Sequence, residues 1–124
     1  MPRFVILEHD HPVLHWDLML EAGDALKTWR LAAPPTAGHT IAAVYLAEHR
    51  REYLDYEGPV SRGRGSLKRW DRGVYAALEQ SHGRLACKLE GDRVRGTIEL
   101  RQVEADKWTF TLSADAVGPP HPPD

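Results

Sequence analysis

The sequence lacks the features that mark secreted, membrane-spanning or strongly basic proteins. It has one cysteine in 124 residues, Cys87, so no internal disulfide can form, which is typical of a reducing compartment. No apolar run approaches the roughly 18 residues of a membrane-spanning helix, and the N-terminal residues lack the charged and apolar regions of a signal peptide. Sixteen Lys and Arg against eighteen Asp and Glu give a net charge of -2, so contact with nucleic acid would need a local basic patch. We expect a cytoplasmic protein without membrane contact.

The composition is that of one globular domain. Hydrophobic residues make up 42% and charged residues 27% of the chain, enough apolar side chains for a core at this length. Four prolines fall in the last seven residues, which favours disorder there. We therefore expect a single domain over residues 1–117 and a Pro-rich disordered tail over residues 118–124.

Helical periodicity is scarce and alternation with a period of two residues dominates. The alternation predicts strands at 4–8, 14–21, 25–31, 41–46, 67–71, 74–78, 84–90, 94–101 and 107–113. Residues 47–56 are more polar and predict one helical turn or an irregular crossing, and residues 58–65 form a loop. Many short strands at nearly regular spacing predict an all-β or mainly β protein, an antiparallel barrel or sandwich with short helical turns.

The second predicted strand places two metal-binding residue types on one face. His15 and Asp17 are two positions apart, so their side chains point the same way, about 6–7 Å apart along a strand. His9, near the end of the first strand, can reach the same point. Two imidazoles and a carboxylate suit Mn, Zn or Fe. The alternative is a solvent-facing pair on an exposed sheet, with His9 a loop residue.

His49 and Tyr53 form a second group of candidate residues. In a helical turn, residues four apart share a face, and a His and a Tyr there can hydrogen-bond a phosphate or protonate a leaving oxygen. The alternative is that Tyr53 and Tyr56 lie at the edge of the core while His49 is solvated.

A third candidate is the basic loop that contains Arg62 and Arg64, each followed by a glycine. Two arginines can bind a phosphate bidentately, and glycines leave backbone N–H groups accessible. The spacing is not that of a P-loop, and such loops also occur as plain solvated turns.

Together, these residues resemble the 3′-phosphoesterase domain found at the N-terminus of bacterial ligase D and as small stand-alone proteins. The similarity extends from about residue 3 to about residue 112, and the matching stretches occur in the family's order. They are Arg3-Phe4-Val5, Glu8-His9-Asp10, Leu14-His15-Trp16-Asp17-Leu18, Leu20-Glu21, Leu26-Lys27-Thr28-Trp29, Glu48-His49, Tyr53, Tyr56-Glu57-Gly58 and Trp70-Asp71-Arg72-Gly73.

The resemblance implies a small antiparallel β-barrel with a metal site inside it or at its mouth. Family members remove a terminal ribonucleoside from a primer strand and then the remaining 3′-phosphate, with manganese preferred. By motif, His9, His15 and Asp17 would be metal ligands, with Zn²⁺ or another divalent metal as the alternative to Mn²⁺. His49 and Tyr53 would contact the scissile phosphate. The implied partners are the 3′ end of a primer-template and a ligase or polymerase of end repair. We expect the protein to be a monomer.

One departure from the family concerns phosphate binding. Met19 stands where the family has an inward-facing arginine, which removes a charge-assisted contact worth roughly 1.5–3 kcal/mol. We hypothesise that Arg62, Arg64 or Arg30 supplies a cation from another direction.

Two other functions compete with a phosphoesterase. The loss of the arginine at Met19 favours a non-catalytic module that binds nucleic-acid ends or a repair partner. The order of His15, Asp17 and a distant His49 also fits the two-His, one-carboxylate iron site of a cupin-like oxygenase, in which His9 would have no role.

Overall fold

The computed structural model describes residues 1–115, so the predicted tail and the predicted boundary at residue 117 lie outside the described residues. Within these residues, one 3₁₀ helix, Arg51–Leu54, interrupts a fold that is otherwise built of strands and connecting segments. The strands are β1 (Arg3–His9), β2 (His15–Ala22), β3 (Ala25–Leu31), β4 (Ile41–Arg50), β5 (Gly58–Pro59), β6 (Ser66–Ser81), β7 (Arg84–Gly91), β8 (Arg95–Glu104) and β9 (Lys107–Ala114).

The strands close into an antiparallel barrel. Neighbours follow the order β1-β2-β3-β4-β9-β8-β7-β6, and β6 also pairs with β1, which completes a ring of eight strands. The short strand β5 pairs with the start of β6. The prediction of a small antiparallel β-barrel is therefore confirmed. Within residues 1–115, no helix is long and apolar enough to cross a membrane.

The strands predicted at 67–71 and 74–78 are one continuous strand, β6. The predicted ranges left a break at residues 72–73, whereas Gly73 allows a close approach between neighbouring strands. A Cβ at Gly73 would lie 2.0 Å from the backbone oxygen of Glu90 in β7. Only glycine fits there, and β6 can change its partner from β1 to β7 at this point.

The region 47–56 contains more strand than the sequence indicates. β4 continues to Arg50, and the 3₁₀ helix follows at once. The strand predicted at 14–21 begins one residue later than expected, at His15, and Leu14 lies before it and is exposed. The polar residues of 47–50 are tolerated in a strand because their side chains lie at the edge of the barrel, largely in solvent.

One hydrophobic cluster fills the barrel and draws on all eight of its strands. Its members include Phe4, Ile6, Leu18, Leu20, Trp29, Ile41, Tyr75, Leu85, Ile98, Leu100 and Phe110. Alternation along β1 and β2 places a second cluster on the opposite, outer face. That cluster consists of Val5, Leu7, Met19, Leu26, Leu54 and Leu67. Both faces of β1 and β2 are therefore buried.

The 3₁₀ helix is fixed to the outer face of β1 and β2. Leu54 is buried in the second cluster, which contributes about 1.5–3 kcal/mol. Glu21 accepts a hydrogen bond from the backbone N–H of Arg3 at 3.0 Å and pairs with Arg51. That N–H, followed by the charge of Arg51, holds the pKa of Glu21 below its usual range. Arg3 also pairs with Asp55 at 2.7 Å, just beyond the helix.

Asp71 is a buried carboxylate that holds the connection between β7 and β8. Its Oδ1 accepts hydrogen bonds from the backbone N–H groups of Arg72 (2.8 Å), Asp92 (2.8 Å) and Arg93 (3.0 Å). Its Oδ2 accepts a fourth from Val94 at 2.8 Å. Asp71, which belongs to the family-matching stretch 70–73, therefore has a structural role.

Replacing Asp71 should therefore destabilise the barrel. We expect Asp71→Ala to lower the free energy of unfolding by about 3 kcal/mol, because it leaves buried N–H groups without an acceptor. Urea unfolding followed by circular dichroism measures the change. Asp92→Ala is the matched control, since the Asp92 side chain is exposed and only its backbone N–H is used. Equal midpoints for the two variants would contradict this role.

Cys87 lies within the barrel core and is fully buried. Burial raises the pKa of its thiol to about 11. The thiol therefore stays protonated up to about that pH, and the reactive thiolate is scarce at pH 8.

We expect Cys87 of the native protein at pH 8 to resist a disulfide reagent such as dithiobis-nitrobenzoate. Protein unfolded in guanidinium should react and release one equivalent of nitrobenzoate thiolate from the reagent, which is measured by its absorbance. Rapid reaction of the native protein would show that the barrel opens.

Candidate metal and phosphoester site

The three predicted metal ligands meet where β1 and β2 pair. His9, the last residue of β1, stands directly opposite His15, the first residue of β2. Their ring centroids are 4.8 Å apart. Asp17 lies two residues further along β2 on the same face. One potential ligand atom from each residue lies within 4.8 Å of the others.

Backbone carbonyls orient both imidazoles. His15 Nδ1 lies 2.8 Å from the oxygen of Val13, so Nδ1 carries the proton and Nε2 keeps its lone pair. His9 Nε2 lies 2.8 Å from the oxygen of Arg64, which leaves the lone pair on Nδ1. Such outer hydrogen bonds are how metal-binding histidines are held in the required tautomer.

The potential ligand atoms of the three residues lie close together. His15 Nε2 is 3.3 Å and His9 Nδ1 is 4.0 Å from Asp17 Oδ2. His15 and Asp17 are buried, and within residues 1–115 neither His15 Nε2 nor Asp17 Oδ1 has a hydrogen-bond partner. A buried polar atom without a partner costs about 1–3 kcal/mol. Two nitrogens and a carboxylate with free lone pairs fit a divalent transition metal.

The loop after β5 closes one side of this group. Asp10 Oδ1 accepts a hydrogen bond from the backbone N–H of Ser66 at 2.8 Å. Gly65, with φ at +74°, lies so close that a Cβ there would meet Asp10 Oδ1 at 2.2 Å. The glycine therefore lets the loop approach β1 closely enough for the oxygen of Arg64 to meet His9.

His49 and Tyr53 come together, but not on one helix as predicted. His49 lies near the end of β4 and Tyr53 lies in the 3₁₀ helix that follows, with ring centroids 5.8 Å apart. His49 Nδ1 lies 2.8 Å from the oxygen of Ala47, so Nε2 is the nitrogen available for other contacts. The two side chains meet because the chain turns from β4 into the 3₁₀ helix, and not because they lie four residues apart on one helix.

A pocket of about 390 Å³ unites these groups, and His9, Asp17, His49 and Tyr53 all line it. His15 contacts the group from the buried side. The pocket lies on the outer face of β1–β3, opposite the cluster that fills the barrel. The resemblance implied a site inside the barrel or at its mouth, and this location is corrected: bulky side chains occupy the interior, and alternation turns the polar residues outward.

Two of the three predicted replacement cations line this site pocket. Arg30 stands opposite Asp17 in the sheet, with its Nε 3.9 Å from Asp17 Oδ1. Arg64 also lines the pocket, but its guanidinium donates to Ser61, at 2.9 Å to the backbone oxygen and 3.1 Å to Oγ. Arg62 does not line it; this exposed residue occupies the left-handed turn of the loop, with φ at 64°.

No pattern in the sequence indicated the apolar part of the pocket. Met19 is buried on the same strand face as Asp17 and belongs to the second hydrophobic cluster. Leu46, Val60 and Leu67 complete an apolar floor, and they come from three separate segments. The pocket lining therefore combines polar and apolar side chains.

Comparison with known proteins identifies the family. Residues 7–102 match the model of the DNA ligase D 3′-phosphoesterase domain. The chain belongs to this family.

Its curated relatives are long proteins of bacterial end joining. The chain is 30% identical to the "Multifunctional non-homologous end joining protein LigD" of Mycolicibacterium smegmatis over 122 residues, 86% of this chain and 16% of that protein. With the protein of the same name from Pseudomonas aeruginosa it shares 30% identity over 108 residues, 79% of this chain and 13% of that protein. It is also 30% identical to the "Multifunctional non-homologous end joining DNA repair protein LigD" of Mycobacterium tuberculosis over 115 residues, which are 85% of this chain and 15% of that protein. The chain thus spans less than a fifth of these relatives.

The geometry predicts that the protein binds one divalent metal ion. We expect Mn²⁺ to bind with one-to-one stoichiometry and to raise the melting temperature, because the ion binds only the folded state. His15→Ala should weaken binding by about 100-fold or more. Electron paramagnetic resonance of free Mn²⁺ measures the affinity.

The matched control is His82→Ala, since His82 is an exposed residue of the β6–β7 turn. Equal affinities of wild type and His15→Ala would place the ion elsewhere.

Proposed function

We propose that this protein is a metal-dependent phosphoesterase that trims the 3′ ends of nucleic acid. It would remove a terminal ribonucleoside and then the remaining 3′-phosphate, with Mn²⁺ as the cofactor. The observation that supports this most is the closeness of the potential ligand atoms of His9, His15 and Asp17, which lie beside a pocket that His49 and Tyr53 also line. Membership of the ligase D 3′-phosphoesterase family gives the reaction class.

The reaction exchanges one phosphorus–oxygen bond for another. A water oxygen bonds to the phosphorus, the bond to the 5′ oxygen of the terminal ribonucleoside breaks, and the leaving oxygen gains a proton. His9, His15 and Asp17 would hold a cation that supplies positive charge beside a phosphoryl oxygen. His49 Nε2 can carry the proton for the leaving oxygen, since Nδ1 is fixed on Ala47.

Tyr53 and Arg30 would bind the phosphate. The Tyr53 hydroxyl can donate to a non-bridging oxygen. Arg30 would replace the family arginine at whose position Met19 stands. It lies on the neighbouring strand, on the same side of the sheet as Asp17. The apolar floor around Met19 and Leu46 offers a surface for the sugar and base of the leaving ribonucleoside.

The cellular setting we propose is DNA end repair. The relatives are named as multifunctional end joining proteins, of which this chain covers one part. A ligase or polymerase would therefore act on the same ends, either as a separate protein or in the same chain.

A non-catalytic end-binding module is the second candidate. Burial of Met19 in the second hydrophobic cluster favours it, because the floor of the pocket carries no charge there. The cupin-like oxygenase is not favoured. It needs His49 on the same ion as His15 and Asp17, whereas the group within 4.8 Å contains His9 instead.

We expect the protein, with Mn²⁺, to shorten a labelled primer-template that ends in one 3′ ribonucleotide or in a 3′-phosphate. Excess EDTA and His15→Ala should abolish trimming. His49→Ala should slow it by about 10²- to 10⁴-fold, the usual loss with a general acid. A sequencing gel resolves the products, and His82→Ala is the control.

Confirmed Mn²⁺ binding and end binding without trimming would reject the phosphoesterase and favour the binding module. Undiminished trimming in excess EDTA would contradict the metal dependence.

A further inference from the structure

The site pocket continues into a second chamber. This chamber has a volume of about 330 Å³ and shares Tyr53, Val60 and Arg64 with the site pocket. Its other lining includes Tyr56 and Arg50. Because three wall residues are common to both cavities, the two cavities adjoin at Tyr53, and we call the pair the groove. Together they offer more volume than a single phosphate requires.

Tyr56 presents an aromatic ring in the second chamber. It is 38% exposed and lies edge-on to Tyr53, with ring centroids 6.3 Å apart. Its hydroxyl donates to the backbone oxygen of Pro59, which fixes the ring orientation. A fixed, accessible aromatic ring is a surface on which a nucleobase can stack. Tyr56 belongs to the stretch 56–58, which the mechanism above does not use.

The second chamber also carries guanidinium groups. Arg50 and Arg64 line it, against one acidic residue, Glu52. The Arg50–Glu52 pair spans 3.7 Å, with side chains 75% and 74% exposed, so solvent competes strongly for both charges. Arg50 can therefore turn to an incoming anion at little cost. The combination of a ring with net positive charge fits a nucleotide.

We propose that the second chamber binds the nucleotide on the 5′ side of the scissile phosphate. Tyr56 stacks on its base, while Arg50 and Arg64 contact its own 5′-phosphate. The retained strand carries such a phosphate. The leaving ribonucleoside has hydroxyl groups and no further phosphate, so it offers no anion for two guanidinium groups to bind. This inference rests on the proposed function, and it makes the substrate a strand rather than an isolated phosphate ester.

The test compares dinucleotide probes that end in a 3′ ribonucleoside and carry a hydrolysis-resistant phosphorothioate link. One probe has a normal base on its 5′ nucleotide, one is abasic there, and one has an added 5′-phosphate. Isothermal titration calorimetry with Mn²⁺ gives the dissociation constants. In wild type, loss of the base should weaken binding by about tenfold, the order of one base–aromatic stack. The added 5′-phosphate should tighten binding by several-fold.

The variants assign these effects to residues. In Tyr56→Ala, the difference between the normal and abasic probes should fall below about twofold, while Tyr56→Phe keeps the ring and should keep the full difference. Arg50→Ala should remove the gain from the 5′-phosphate. Arg101→Ala is the control and should match wild type, because Arg101 is an exposed residue of β8 that lines neither cavity.

Failure of this inference and failure of the proposed function give different results. Base-dependent binding that survives Tyr56→Ala, or is absent from wild type, overturns the subsite even if the cleavable dinucleotide is hydrolysed. Base-dependent binding that Tyr56→Ala removes supports the subsite, and absence of hydrolysis in the same preparation then counts against the phosphoesterase alone.

Discussion

The pairing of β1 with β2 is the constraint on which the candidate site depends. This register places His9 opposite His15 and puts Asp17 on the same outer face. A slip of one residue would turn the β2 residues to the other face. The register is held from both sides, since Ile6 and Leu18 pack inside the barrel while Val5 packs outside. Hydrophobic burial therefore fixes the position of the polar group.

The backbone completes the site by setting the histidine tautomers. Carbonyls of Val13, Arg64 and Ala47 each accept from one imidazole, so the opposite nitrogen of each ring is left for a ligand. The carbonyls of Val13 and Arg64 belong to two different connections, whereas that of Ala47 belongs to β4. Chemistry at the site is thus linked to the fold through loops that the barrel positions.

The pocket combines polar groups with an apolar floor, and this combination follows from its construction. The outer face of β1 and β2 needs a hydrophobic cover, which the 3₁₀ helix supplies through Leu54. Met19 serves that cover and lies at the pocket floor as well. An arginine at Met19 would add charge to this cluster, whereas Arg30, on the neighbouring strand, keeps its guanidinium partly in solvent. The second chamber continues the groove beyond Tyr53, which the same helix carries.

The sequence by itself determined the strand-rich fold and the principal polar group. Alternation along β2 is a local property, so it already placed His15 and Asp17 on one face. Residue types and spacing also proposed His9, His49 and Tyr53, and the family resemblance assigned them their roles. Only the tertiary structure decided which face of the barrel carries the pocket and which arginines reach it.

The roles of Gly73 and Asp71 likewise needed the tertiary structure. The reason is physical. The backbone of Glu90 leaves no room for a side chain at Gly73, and Asp71 accepts hydrogen bonds from backbone groups more than twenty residues away. A local pattern encodes the direction of a side chain, but contacts between distant segments arise only when the barrel closes.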